Sequence, residues 1–310
     1  MIFVFPGQGS QKVGMGKDLY DAFSSAKNIF HEVDDSISFK LSDLIFNGAE
    51  DELKSTENAQ PALMAVSMAF VKVLEEEFHL DVSQKARFLA GHSLGEYVAL
   101  CADRVISVAD AAKILRTRGA AMASACPTGG AMAAILGLDL ETVEQILSEC
   151  RSKDEIVQIA NDNSVGQIVI SGHEQTVKKA VEKAISAGAK KSVPLEVSGP
   201  FHCKLMENAV AKISEILERT KFYNPIKPII SNVTAKAETD NFKELLRKQI
   251  TERVRWRESV LFAESNSASK CVEIGPGKVL SGLVKRISPN IEPINVNSIE
   301  SLENFAKSLA

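Results

Sequence analysis

The residues Gly91, Ser93 and Gly95 follow a short apolar run and precede a helix-like segment. Gly-x-Ser-x-Gly between a strand and a helix is typical of a nucleophile elbow, a turn so tight that glycine is needed on both sides of the serine. The following helix begins at this turn, and its free N–H groups can stabilise a developing oxyanion. The spacing predicts that Ser93 is a nucleophile; a glycine-flanked turn whose serine only caps a helix is the alternative.

A serine hydroxyl is a weak nucleophile at its free pKa and needs a neighbouring base. His202 lies in the segment 197–202, where a proline stiffens the chain between a strand-like run and a helix-like run. His92 adjoins the serine and is expected to point to the other side of the turn. The remaining histidines lie in polar segments that favour a solvated imidazole: His31, His79 and His173. We predict that His202 is the base, although a buried structural histidine would show the same pattern.

Arg118 interrupts an apolar stripe on the helix that is predicted to begin at Val108. Ala111, Leu115 and Met122 share its face, because steps of three and four residues return to one side of a helix. A guanidinium among apolar side chains needs a partner, because burying the charge alone is costly. The partner is either a protein carboxylate or an anionic ligand, and a catalytic serine one helix upstream favours the ligand.

Glycines also follow the first strand-like run, in the segment 6–11. A dinucleotide-binding loop requires a third glycine where Lys12 stands, and no Gly-Lys-Ser/Thr follows, so a phosphate-binding loop is excluded. A nucleophile elbow needs a second oxyanion donor, often from a glycine-rich loop after an early strand. We predict that the backbone N–H groups of Gln11 and Leu94 form this oxyanion hole; a surface turn is the alternative for the loop.

The 310-residue chain carries a net charge of −4 at neutral pH, which argues against nucleic acid or an anionic membrane as the main partner. Its five cysteines are scattered, with no Cys-x-x-Cys pair, which favours reduced thiols and no metal site. The N-terminal sequence lacks signal-peptide features, and the longest apolar stretch is interrupted by polar residues. We expect a soluble, cytoplasmic protein.

Strand-like and helix-like segments alternate along the chain, which favours a parallel sheet covered by helices on both faces. Segments 61–78 and 201–218 show helical spacing, and 87–90 is a strand entering the Gly-x-Ser-x-Gly turn. Residues 128–196 follow the ferredoxin-like order β-α-β-β-α-β. The sequence predicts an α/β fold with a discontinuous large domain, 1–127 and 197–310, and an inserted α+β domain, 128–196.

Six motifs occur in one order along essentially the whole chain: FPGQGSQ at 5–11, GHSLGE at 91–96, RGxxM at 118–122, NxNSxGQ at 161–167, PFH at 200–202, and Gln249 ahead of VRW at 254–256. This set resembles the malonyl-CoA:acyl carrier protein transacylase family. The resemblance implies a large α/β-hydrolase-like domain with a parallel sheet and a ferredoxin-like insert, in agreement with the order of the segments.

The resemblance implies catalytic roles for five residues. Ser93 would be the nucleophile and His202 its base. The N–H groups of Gln11 and Leu94 would bind the oxyanion. The family has no carboxylate as a third member; a backbone carbonyl near the glutamine that corresponds to Gln249 orients the histidine instead.

Four further residues are implied to bind the substrate: Arg118, Met122, Asn161 and Phe201. Arg118 would hold the malonyl carboxylate. Phe201 stands just before the histidine, where related acyltransferase domains have phenylalanine when they select malonyl over methylmalonyl groups.

The implied function is transfer of a malonyl group from malonyl-CoA to the phosphopantetheine thiol of acyl carrier protein, by a ping-pong reaction through malonyl-serine, for fatty acid biosynthesis. We expect no cofactor, no metal and a monomer. An acidic carrier protein would dock on a basic patch. The alternative for each candidate residue is a solvated surface charge with no partner. These candidates are Lys190, Lys191, Lys285 and Arg286. The alternative is a serine esterase or thioesterase on a related fold, although its histidine usually lies near the C-terminus.

Two segments depart from the family pattern. Asp103 and Arg104 stand where the family usually has a small apolar stretch. Glu252 and Arg253 precede Val254, where the family commonly has a proline directly before the valine. Both segments lie beside functional ones. We therefore expect them to affect the shape of two loops and not the chemistry.

Overall fold

The computed structural model describes residues 1–309 as two sheets surrounded by helices. The strands are β1 Ile2–Phe5, β2 Phe88–Gly91, β3 Gly130–Leu136, β4 Val157–Ser164, β5 Gln167–His173, β6 Lys191–Pro194, β7 Ile229–Ile230, β8 Ala237–Glu238, β9 Lys270–Ile274 and β10 Glu292–Val296. The helices are α1 Lys17–Ala22, α2 Ser24–Ile37, α3 Leu41–Asn47, α4 Glu50–Lys54, α5 Thr56–Glu76, α6 Val82–Lys85, α7 Leu94–Ala102, α8 Val108–Ala125, α9 Leu140–Cys150, α10 Glu174–Ser186, α11 Glu207–Arg219, α12 Phe242–Lys248, α13 Trp256–Ser265, α14 Val279–Ile287 and α15 Ile299–Lys307.

The larger sheet has six strands in the order β10-β9-β1-β2-β7-β8, all parallel except for the antiparallel pair β7 and β8. β1 and β2 are buried along their whole length, as expected for apolar strands covered on both faces of a parallel sheet. The register places Phe5 beside Gly91, so the loops that follow β1 and β2 leave the sheet together. The predicted α/β fold with a parallel sheet is confirmed.

Helices cover both faces of this sheet with separate apolar cores. On one face α5 packs against α2, α7 and α8. On the other face Trp256 and Val260 of α13 share a core with Leu283 of α14. α5 is buried around most of its circumference because other helices surround it, and both α7 and α8 pack against it.

Helix α5 begins at Thr56, five residues before the start predicted from the sequence. Pro61 lies inside the helix and has no N–H to donate to the carbonyl of Glu57. That carbonyl instead accepts a hydrogen bond of 3.4 Å from Nη1 of Arg116 on α8. A side chain from a neighbouring helix therefore compensates for the bond that proline removes, and the helix continues through it.

The smaller sheet has four antiparallel strands in the order β4-β5-β3-β6. The residues of α9 and α10 pack with those of the sheet in a separate core that includes Ile135, Leu147, Ile170 and Val177. These elements span 130–194 and follow the predicted β-α-β-β-α-β order. The exact domain boundaries at 128 and 196 stay a prediction.

The segment predicted as one helix over 201–218 is different in the structure. Residues 201–203 are not helical, a 3-10 turn covers Lys204–Met206, and α11 begins only at Glu207. His202 has a φ of 58°, in the left-handed region, which a continuous helix does not allow. β2 also ends one residue later than predicted, at Gly91. Both differences lie at the residues that approach Ser93.

Within residues 1–309, no helix combines the length and apolar character needed to cross a membrane. The same part of the chain contains no cluster of three or more His, Cys, Asp or Glu side chains placed to hold a metal ion.

Candidate active site

Ser93 lies in the sharp turn between β2 and α7. Its φ of 53° and ψ of −108° are strained for a residue with a Cβ atom. A Cβ atom on Gly91 would lie 1.9 Å from the carbonyl of Gly95, and one on Gly95 would lie 2.2 Å from the carbonyl oxygen of Phe5. The close approach of α7 to β1 and β2 thus requires both glycines, as the Gly-x-Ser-x-Gly pattern predicts.

Asn232, in the loop after β7, holds this turn from the neighbouring strand. Its Oδ1 accepts a hydrogen bond of 2.7 Å from the N–H of Ser93, and its Nδ2 donates one of 2.7 Å to the carbonyl of Gly91. The N–H of Ser93 is therefore already engaged. Leu94 is the first residue of α7, so its N–H is one of the donors without a partner inside the helix.

The structure brings His202 to Ser93. Oγ of Ser93 lies 2.8 Å from Nε2 of His202, and Nδ1 lies 2.8 Å from the backbone carbonyl oxygen of Gln249. The carbonyl requires the proton on Nδ1, so Nε2 is free to accept the serine proton. Burial and the adjacent charge of Arg118 lower the pKa of His202 to about 3, which keeps the imidazole neutral at pH 7. This geometry suits a nucleophile and its general base.

Arg118 is 1% exposed and points at the same hydroxyl. Its Nη2 donates to Oγ of Ser93 at 3.0 Å and to Oε1 of Gln249 at 2.9 Å, and its Nη1 donates to Oε1 of Gln60 at 2.7 Å. Among the described residues no carboxylate pairs with this guanidinium, and its Nε–H has no hydrogen-bond partner. Neutral groups hold the side chain by direct contact, and the carboxylate of Glu96 acts on its charge only from a distance, which favours the ligand alternative over an internal ion pair.

The glycine-rich loop after β1 lies directly against the elbow. A Cβ atom on Gly7 would lie 2.8 Å from the carbonyl oxygen of His92, so the backbones touch here. Oε1 of Gln11 accepts a hydrogen bond of 2.7 Å from the N–H of Gly9, which folds the loop back on itself. Gln11 and Leu94 both line the same cleft, where an oxyanion hole would have to be. Their role as oxyanion donors stays a prediction.

This cleft has a volume of about 420 Å³ and contains Ser93, His202 and Arg118. The other residues predicted to bind substrate, Met122, Asn161 and Phe201, also line it. Its apolar wall is completed by Met132, Leu195 and Val197. The lining combines the guanidinium of Arg118 with apolar side chains, a composition that suits a short anionic acyl group on a longer carrier.

His92 points away from the nucleophile, as expected from its place in the turn. Its Nε2 lies 2.8 Å from Oδ1 of Asn163 on β4, and its ring packs against Trp256. The contact links the elbow to the smaller sheet. His202 rather than His92 is thus the imidazole in contact with Ser93.

The sequence analysis did not single out three polar residues that hold the site together: Gln60, Glu96 and Asn232. Gln60 is a buried amide in the second turn of α5, and Asn232 follows a buried strand next to β2. Glu96 stands inside the Gly-x-Ser-x-Gly motif region and is 1% exposed. A buried polar residue is a usable signal only once its burial is known, which the sequence does not state.

The family model of the acyl transferase domain matches residues 2–290. A malonyl CoA-acyl carrier protein transacylase of Bacillus subtilis is 45% identical over 97% of this chain and 94% of its own length. The chain belongs to the acyl transferase family. Its resemblance to the malonyl CoA-acyl carrier protein transacylases, first seen in the six motifs, is confirmed.

Solved structures of acyl transferases agree with this assignment. An acyl-carrier-protein S-malonyltransferase from Bartonella henselae superposes with a TM-score of 0.96 at 48% identity, over 99% of this chain and 98% of that one. A malonyl-transacylase in complex with its type II PKS acyl-carrier protein gives a TM-score of 0.94 at 39% identity, with 99% of both chains covered. The two-domain architecture is therefore that of the malonyltransferases.

The first departure from the family pattern is accommodated by local contacts in this acyl transferase. The buried carboxylate of Asp103 accepts hydrogen bonds from the N–H groups of residues 226–227. Arg104 has a φ of 63° and pairs with Glu75 and Asp81, both at 3.0 Å. These charges fix the end of α7 and do not enter the cleft.

The second departure also leaves the site intact. The N–H of Val254 donates to the carbonyl of Ala160 at 2.8 Å, and its carbonyl accepts from the N–H of Asp162 at 3.0 Å. Arg253 pairs with Glu258 at 3.2 Å. Backbone pairing with β4 therefore positions this segment without the proline.

Proposed function

We propose that this acyl transferase moves a malonyl group from malonyl-CoA to the phosphopantetheine thiol of acyl carrier protein, through a malonyl ester on Ser93. One observation supports this most directly: the Ser93 hydroxyl lies 2.8 Å from a neutral imidazole and 3.0 Å from a buried guanidinium that no carboxylate of residues 1–309 contacts directly. A serine esterase needs a base beside its nucleophile but does not need a buried cation there. The guanidinium adds a receptor for an acyl group that ends in a carboxylate.

In the first half-reaction Nε2 of His202 takes the proton from Oγ of Ser93 as the oxygen attacks the thioester carbonyl. The bond from Arg118 to Oγ stabilises the negative charge that develops on the nucleophile. The N–H groups of Gln11 and Leu94 receive the charge on the carbonyl oxygen. The carbon–sulfur bond then breaks, and the thiol of CoA leaves with the proton held by His202.

In the second half-reaction the carrier-protein thiol takes the place of CoA. Nε2 of His202 accepts the thiol proton, the sulfur attacks the ester carbonyl of malonyl-Ser93, and Oγ leaves with the proton. The carbonyl of Gln249, 2.8 Å from Nδ1, keeps the same tautomer in both directions. The carbonyl orients the ring and fixes its tautomer, which are two of the roles that a carboxylate has in a Ser-His-Asp triad.

The test is intact-protein mass spectrometry after mixing with malonyl-CoA. We expect one malonyl adduct on the wild-type protein and none on Ser93→Ala. Ser124→Ala is a matched control, because that hydroxyl donates only to the carbonyl of Ala121 and does not line the cleft. Release of free malonate without a thiol acceptor would indicate an esterase or thioesterase instead. A wild-type protein that never forms the adduct would contradict the proposal.

We also propose that acyl carrier protein docks at one end of the smaller sheet. Lys191 of β6 pairs with Leu136 of β3, and Leu136 pairs with Gln167 of β5. Nη1 of Arg286 on α14 donates to Oε1 of Gln167 at 2.6 Å. The two predicted basic pairs are exposed and lie at this same end: Lys190, Lys191, Lys285 and Arg286. Their proximity supports one basic patch for an acidic partner.

Reversing two of these charges, in Lys191→Glu with Arg286→Glu, should raise the KM for holo acyl carrier protein about tenfold, at up to about 1 kcal/mol for each exposed pair. Formation of the malonyl-enzyme from malonyl-CoA should not change. Lys212→Glu, an exposed lysine on α11, is the control. Transfer that is insensitive to these reversals and to salt would place the docking surface elsewhere.

A further inference from the structure

Gln249 contacts His202, Arg118 and Ser93 at once. Its backbone carbonyl accepts from Nδ1 of His202 at 2.8 Å, and its Oε1 accepts from Nη2 of Arg118 at 2.9 Å. Its Nε2 donates to the backbone carbonyl of Ser93 at 3.1 Å and to Oε2 of Glu96 at 2.7 Å. The residue is fully buried, so no solvent can replace a lost partner.

The two ends of this amide are not interchangeable. If the amide were rotated by half a turn, its NH₂ group would face the guanidinium of Arg118, a donor against a donor. Its oxygen would then face the carbonyl of Ser93 and the carboxylate of Glu96, both acceptors. A positive group on one side and a negative group on the other therefore fix one orientation.

Glu96 is the negatively charged group that faces the Gln249 amide, and two hydrogen-bonded paths connect it to the turn at Ser93. It lies in the first turn of α7, three residues after Ser93. Oε2 of Glu96 also accepts a hydrogen bond of 3.0 Å from the N–H of Asn232, whose side chain holds the N–H of Ser93. Through Gln249 it reaches the carbonyl of the same serine. The carboxylate thus closes two rings of hydrogen bonds around the nucleophile.

We propose that Glu96 is a positioning residue of the reaction. Its carboxylate sets the side-chain amide of Gln249, and that residue in turn holds the guanidinium of Arg118 with its amide oxygen and the imidazole of His202 with its backbone. The inference rests on the proposed function, because the groups that it positions are those of malonyl transfer. Glu96 itself does not line the cleft and is not expected to touch the substrate.

The protonation state of Glu96 gives this role a separate signature. Burial raises the pKa of Glu96 to about 7, while the hydrogen bonds from Asn232 and Gln249 and the charge of Arg118 on α8 favour its ionised form. Ser231 and Asn232, in the loop after β7, face it as neutral groups, as does Gln249 after α12. Protonation removes the charge that strengthens both hydrogen bonds, so positioning should weaken as the pH falls through 7.

The experiment measures the rates of malonyl-enzyme and acetyl-enzyme formation in the full chain, from pH 5 to 9, for wild type, Glu96→Gln, Gln249→Ala and the double variant. We expect Glu96→Gln to slow malonylation about tenfold and acetylation less, because the interaction with Arg118 is weakened. We expect the acidic limb near pH 7 to disappear. In the Gln249→Ala background the Glu96 substitution should add little, since the residue through which it acts is gone.

Glu273→Gln is the matched control. This carboxylate is as deeply buried as Glu96 and accepts hydrogen bonds from the N-terminal turn of α14, but it does not contact the site. Its substitution should lower the unfolding temperature without changing the malonyl-to-acetyl ratio or the pH profile. A decrease in activity that Glu96→Gln shares with this control would report stability alone.

Either of two results would overturn the inference: Glu96→Gln with the wild-type rate and an unchanged acidic limb, or equal losses for both acyl groups that add to those of Gln249→Ala. If Glu96→Gln does not fold, the pH profile of Gln249→Ala decides, because an acidic limb near pH 7 that persists there cannot act through Gln249. A wild-type protein that forms no malonyl adduct would instead refute the proposed function, which separates the two failures.

Discussion

Replacing Arg118 with alanine removes two different contributions, and the structure allows them to be separated. The hydrogen bond from Nη2 to Oγ of Ser93 serves any acyl group, because it acts on the nucleophile. A charge-assisted hydrogen bond is worth about 1.5 kcal/mol at the lower end, which is about tenfold in rate. The contact with a malonyl carboxylate would serve malonyl groups alone. Two such bonds in a desolvated site are worth about 3 kcal/mol, which is more than a further hundredfold.

The expected result for Arg118→Ala is a decrease of about 10³-fold in kcat/KM for malonyl-CoA and of about tenfold or less for acetyl-CoA. The acetyl loss has this upper limit because removing the guanidinium also relieves its effect on His202, whose pKa it lowers. Acyl-enzyme formation followed by rapid quenching and intact mass gives both rates on one preparation. The prediction is tested by the ratio of the loss for malonyl-CoA to the loss for acetyl-CoA, and not by either loss alone.

Arg116→Ala is the matched control for this measurement. Arg116 lies on the same helix, and its guanidinium is held by Asn58 and packs on the ring of Phe39, outside the cleft. Its removal should leave the malonyl-to-acetyl ratio unchanged. Equal decreases for the two acyl groups in Arg118→Ala would refute the reasoning, because the guanidinium would then act only on the nucleophile or on folding.

Two further predictions concern the backbone and the base. Gly95→Ala should abolish cooperative folding or lower the unfolding temperature strongly, because the new Cβ atom would lie 2.2 Å from the carbonyl oxygen of Phe5. Gly282→Ala in α14 is the control. A Cβ atom there would have no neighbour within 4 Å, so this substitution should be neutral or slightly stabilising in the same thermal scan. The pKa of His202 is lowered to about 3 in the folded protein. Between its ordinary pKa and about 3, the unfolded chain therefore binds a proton that the folded chain does not. As the pH falls through this range, His202 reduces the free energy of unfolding. Urea unfolding of His202→Gln at pH 7.5 and 5.0 should therefore show a smaller acid-induced loss than wild type, and a larger loss would contradict the assignment.

Local sequence patterns were enough to predict the parts of the site that depend on neighbouring residues. Gly91 and Gly95 flank the nucleophile because backbone atoms leave no room for a Cβ atom, and this requirement is visible in the motif itself. Helical spacing placed Arg118 on an apolar face, which the structure shows to be buried. The alternation of strand-like and helix-like segments is also visible in the sequence, and it predicted the parallel sheet and the small inserted sheet.

The remaining parts depend on contacts between distant segments. Asn232 is 139 residues from the serine that it holds, and Gln60 is 58 residues from Arg118. No local pattern marks them, because each stands near other polar residues, such as Asn58 before Gln60 and Ser231 before Asn232. The helix predicted over 201–218 was wrong at its start for a related reason: apolar spacing does not reveal the left-handed backbone of His202, whose ring contacts the carbonyl of Gln249.

The charge of Arg118 couples selectivity to catalysis in the proposed reaction. In the free enzyme it contributes, after burial, to the low pKa of His202, which makes the imidazole a weak base. A substrate carboxylate seated on the guanidinium cancels that charge inside a buried site, where Coulomb interactions are strong. The acyl group therefore strengthens the base that activates its own nucleophile while it orients its carbonyl. An uncharged acyl group does neither, so discrimination extends to kcat and is not confined to KM.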